Sequence, residues 1–64
     1  MTTEELDKLA EELYDWVNAR RADNLNKDGT PGDPRKISNP YQTTYTEVKH
    51  FYRNAVLWHL SKQS

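Results

Sequence analysis

Both glycines and all three prolines of this 64-residue chain fall between positions 29 and 40, as Gly29, Pro31, Gly32, Pro34 and Pro40. These are the residues that helices tolerate least. Their confinement leaves two flanks free of breakers, joined by a connection that cannot continue either one. In the first flank Thr2 and Glu5 have the spacing of a capping box, and Leu6, Leu9, Ala10, Leu13, Trp16 and Val17 recur at three and four residues. In the second, Thr44 stands three residues before Glu47, after which Val48, Phe51, Tyr52, Ala55 and Trp58, continued by Lys62, fall along one side. Val56, Leu57 and Leu60 widen that surface beyond a single stripe.

The pattern predicts one mainly α domain over residues 1–64. Two antiparallel amphipathic helices, at about 3–22 and 45–62, bury their stripes in one interface. The long connection at 24–43 is expected to be ordered, pinned by Ile37 and Tyr41, with short strand-like β pieces allowed for. A chain this short buries only about 60% of its unfolded surface. It has no cysteine, so stapling by disulfides is excluded and the core must rest on Trp16, Trp58, Phe51 and the tyrosines, or on a partner. No apolar run approaches the roughly 20 residues of a spanning helix, and the acidic start does not read as a signal peptide. The expected location is cytoplasmic, with no membrane contact.

Charge is uneven although the net value is −1. Residues 1–15 carry six acids against Lys8, and the remainder carries eight bases against four acids. Acids early in a helix favour its positive end, which accounts for Glu4, Glu5 and Asp7 without a partner.

The stretch Asn24 to Asp33 begins like a calcium loop, with Asn24, Asn26 and Asp28 alternating and Gly29 at the sharp turn. It then places Arg35 where a bidentate glutamate is required and Pro31 inside the loop, so successive turns are the better reading. His50 and His59, nine residues apart on one helix, point to opposite sides and cannot share an ion. Glu47 and His50 form a single Glu-x-x-His pair, where a di-iron bundle needs two pairs and further glutamates. Ser38, Ser61 and Ser64 lack a nucleophile elbow. No enzyme, metal or cofactor is therefore expected. Bases such as Arg20, Arg35 and Lys49 interleave with tyrosines, but the acidic first helix and a pI near 6.0 disfavour nucleic acid.

The run NPYQTTYTEVKHFYR resembles the ryanodine-receptor repeat domain, in which a Pro-Tyr pair precedes an acidic helix start, a lysine and then an arginine four residues later. The matching positions are Pro40, Tyr41, Glu47, Lys49 and Arg53. LAEELYDWVNARR is similar to the family's first helix, with Leu9, Ala10, Trp16 and Arg20 or Arg21 in register. The loop departs from the family: only Gly29 remains of its Gly-Trp-and-Gly pattern, and the His-Pro before Pro-Tyr is missing. The resemblance implies a non-catalytic recognition module for a small anionic or nucleotide-like ligand, or for a protein. A phosphate would meet Lys49 and Arg53, and Tyr41 or Trp16 would stack on a base. Lys49 and Arg53 are also like charges on one helix face, so a salt bridge to helix 1, with Asp15 the first candidate, explains them equally well.

The rival reading is a small viral-type inhibitor or adaptor, of the kind a phage carries, contacting a host protein through Glu4, Glu5, Glu11, Glu12 and Asp15. Homodimerisation through the surplus apolar surface at Val56, Leu57 and Leu60 is the third.

Overall fold

The structure is a computed structural model and describes residues 1–63. Helix α1 spans Thr3–Ala19 and helix α2 spans Thr46–Gln63, and the two pack against each other. The connection contains two single-turn 3-10 helices, Pro34–Lys36 and Tyr41–Thr43, and no strand occurs among the described residues. The chain is thus mainly helical, with the β pieces allowed for at 24–43 replaced by 3-10 turns.

The capping box at the start of α1 forms as its spacing requires. The Thr2 hydroxyl accepts from the Glu5 amide at 3.1 Å and the Glu5 carboxylate accepts from the Thr2 amide at 3.3 Å. At the other end the helix stops at Ala19, three residues short of the expected boundary, because the first residues of the connection and Gly32 supply partners for its last four carbonyls. The Arg20 side chain donates to the Trp16 carbonyl and the Arg20 amide to that of Val17. The Asn24 side-chain amide donates to Asn18, and the Gly32 amide, from the far side of the loop, donates to Ala19. Helix α1 ends where the connection folds back onto it.

Helix α2 begins at Thr46 without the expected box. The amide of Thr44 instead closes the preceding 3-10 turn by donating to the Tyr41 carbonyl, and the Tyr45 carbonyl accepts from Val48 and Lys49.

Ala10, Tyr14, Tyr41 and Val56 form the buried cluster, with Leu6, Leu13, Val48, Tyr52 and Leu60 packed around it. Three tyrosines supply its aromatic content. The Tyr14 ring meets those of Tyr41 and Tyr52 edge-on, at 5.7 and 5.2 Å between centroids. Each of the two buried hydroxyls has an acceptor: Tyr14 donates to the Asn39 carbonyl and Tyr41 to Asp7. The expectation that Trp16, Trp58 and Phe51 would build the core is corrected, since they remain 55%, 63% and 65% exposed. The cause is that α2 carries two apolar lines. Val48, Tyr52, Val56 and Leu60, spaced by four, face α1 and thereby turn Phe51 and Trp58 outward.

Candidate functional site

Two features qualify as sites, one polar, the other apolar and open. The polar one joins all three parts of the fold. Asp7 of α1 accepts on one oxygen from Arg53 Nε of α2 at 2.6 Å and from the Tyr41 hydroxyl of the connection at 3.0 Å. Lys49, one turn before Arg53, donates to the Gln42 carbonyl at 2.8 Å, with its ammonium 5.9 Å from the centre of the Tyr41 ring. The sequence-selected residues Tyr41, Lys49 and Arg53 are therefore brought together.

Their electrostatics centre on the Asp7–Arg53 pair. Hydrogen bonding to Arg53 holds the Asp7 carboxyl below the ordinary carboxylate value against partial desolvation, with the Tyr41 hydroxyl helping. Burial, and then the Asp7 carboxylate, push the Tyr41 phenol up, and the same carboxylate raises Arg53. Tyr41 has 0% of its surface exposed, so its ring offers no face for a base to stack on. Arg53 meets Asp7 through Nε alone and keeps 27% of its side chain exposed, and with Lys49 the corner holds two positive charges against one.

Trp16 does not join this cluster. Nine residues separate it from Asp7 on α1, which at 100° per residue sets the two on opposite sides of the helix. Arg20 lies over its ring, 4.2 Å from the centroid. Asp15, the sequence candidate for pairing with Arg53, instead approaches Arg35 at 3.6 Å, and its Oδ1 is buried with no hydrogen-bond partner. The acids of the rival reading, Glu4, Glu5, Glu11, Glu12 and Asp15, fall within an arc of about 120° on α1, with Lys8 among them.

The calcium-like stretch uses its donors internally. The Asn24 side-chain amide bridges to the Asn18 and Asp33 carbonyls, and that of Asn26 reaches Thr30 Oγ1 and the Pro31 carbonyl. Asp28 accepts from both the amide and the hydroxyl of Thr30, which lowers its pKa. Gly29 takes φ 86°, the left-handed conformation the turn needs. Among the described residues no group of three or more His, Cys, Asp or Glu stands close enough to hold a metal.

The open feature is a groove of about 590 Å³ between the helices. Leu9, Leu13 and Trp16 form its α1 wall; Ala55, Trp58 and Leu60 form most of its α2 wall. Glu12 and His59 are its polar members. Lys62 lies 5.5 Å from the centre of a Trp58 ring, so each groove tryptophan carries a cation at its rim. Sequence periodicity locates surplus apolar surface at Val56, Leu57 and Leu60. The structure buries Val56, half-buries Leu60 and shifts the surplus to Trp16, Phe51 and Trp58, while Leu57 stays exposed outside the groove. The signal for the groove is the second apolar line of α2, Phe51–Ala55–Trp58, which periodicity alone assigns to the core. No described helix is long and apolar enough to cross a membrane. Compared with protein-family models, with curated proteins and with solved structures, the chain matches none.

Proposed function

We propose that the chain is a non-catalytic binding module whose working surface is the groove between α1 and α2, and that it recognises another polypeptide. This is the class of role that the resemblance to ryanodine-receptor repeats implies, moved from the Tyr41–Lys49–Arg53 corner to the opposite side of α1. One observation carries the reading: two exposed large aromatic side chains, Trp16 and Trp58, stand on the two walls of this concave surface. Exposed tryptophans at the edge of an apolar cleft have the make-up of contact hot spots.

The matching chemistry is a segment with apolar side chains for the cleft and charges of both signs for a rim that holds Glu12, Arg20, His59 and Lys62. The small-anion reading is less favoured, because Arg53 and Lys49 already have protein acceptors. Amide and indole NMR shifts of the labelled chain test the choice. A helical peptide with leucines four apart and flanking Lys and Glu is expected to move the Trp16 and Trp58 indole signals, and ATP or inorganic phosphate to leave Lys49 and Arg53 unmoved. Shifts at Lys49 and Arg53 with ATP, and none at the indoles with peptide, would overturn the proposal.

A further inference from the structure

The geometry points to a second copy of this chain as the polypeptide that covers the groove, in a two-fold dimer that rests on the polypeptide-contact reading of that surface. Surface area is the first reason. The chain exposes 4841 Å², whereas a folded monomer of 7.6 kDa is expected to expose about 4,300 Å². The excess over the whole chain, about 540 Å², is about two-thirds of the about 800 Å² that each partner gives to an interface of standard size, and the exposed groove residues Trp16 and Trp58 contribute to it.

Self-complementarity is the second. A two-fold contact sets a patch against itself, so it must contain both members of every pair it makes. This rim does: Glu12 is its acid, and Arg20, Lys62 and His59 are its basic or titratable groups. A patch of one sign would repel its own image, and with a net charge of −1 two whole copies repel each other only weakly. The apolar walls match in the same sense. Each copy offers two exposed tryptophans and a cleft of about 590 Å³, large enough to receive an aromatic side chain from the other.

Sedimentation equilibrium of the whole chain, from low micromolar to millimolar, tests this directly. A mass rising from 7.6 kDa towards twice that value is expected. Trp58→Glu should weaken association by about tenfold or more, and Leu57→Lys, outside the groove, should leave it unchanged. Because Trp58 is mostly exposed, helicity by circular dichroism should survive the substitution. Isotope-filtered NOEs in a mixed labelled and unlabelled wild-type sample need no mutation, and should link the Trp16 or Trp58 indole of one copy to Leu9, Leu13 or Ala55 of the other. A 7.6 kDa species throughout, or a dimer without those NOEs and indifferent to Trp58→Glu, overturns the second copy as occupant. If the monomer's indoles still answer the helical peptide, polypeptide contact stands and self-association alone has failed; if they do not, both have failed.

Discussion

Asp7 is the residue on which the two helices and their connection converge, and its carboxylate gives the fold a defined acid sensitivity. Its pKa in the folded chain lies below the ordinary 3.8, so the stabilisation is fully present above that value and is lost as pH falls through the folded value. Thermal melts taken through this window should show the wild type losing melting temperature faster than Asp7→Asn. Asp28, shifted the same way by Thr30, leaves a residual slope in both proteins. Equal slopes would mean that the Arg53 contact does not hold in solution. Tyr41 gives the larger single-site effect. Removing its fully buried ring in Tyr41→Ala should cost about 3–5 kcal/mol, a large share of the stability of so small a domain. Tyr41→Phe, which removes only the hydroxyl bond to Asp7, should cost about 1 kcal/mol. Urea denaturation separates the two, and similar losses would contradict a ring packed at the centre of the cluster.

Among the elements, the connection holds its shape through backbone geometry that substitutions can probe one position at a time. A side chain at Gly32 would collide with the Asn24 carbonyl oxygen, whereas at Gly29 the space is open and only the positive φ resists. Gly29→Ala should therefore cost about 1 kcal/mol. Gly32→Ala should cost more and should also strip the Gly32 amide of its hydrogen-exchange protection, because the bond to the Ala19 carbonyl is broken. Equal costs would show that the loop is not seated on α1. The sequence made some of these elements legible and others not, for physical reasons. The capping box of α1 is a local chemical pattern, so it could be read from Thr2 and Glu5. Tyr41 as the pin of the connection followed from an aromatic residue placed directly after Pro40. The partner of Arg53 did not follow, because Asp7 and Asp15 stand about 12 Å apart along α1 and the choice depends on the slide and rotation of α2 against it. That rotation was illegible, since Val48–Tyr52–Val56–Leu60 and Phe51–Ala55–Trp58 are both apolar lines and periodicity alone cannot say which one faces inward.

The whole molecule carries the consequence of that rotation: burying the line that holds Tyr52 leaves the one that holds Trp58 outside, next to a cleft. A chain whose exposed apolar surface is covered only on association must gain stability from its own concentration, because a dimer that binds the native form draws the folding equilibrium towards it by mass action. The wild-type melting temperature should accordingly rise as protein concentration is raised from micromolar to millimolar. The melting temperature of Trp58→Glu should rise less over that range. At the lowest concentration, where both proteins are monomeric, the two should melt within the span expected of a surface substitution, about 0.5 kcal/mol in stability. Differential scanning calorimetry at several concentrations reads both quantities together. A concentration-independent wild type would assign the exposed tryptophans to a different polypeptide or to none. A Trp58→Glu protein much less stable even when dilute would place Trp58 in the fold of the single chain, against its 63% exposure.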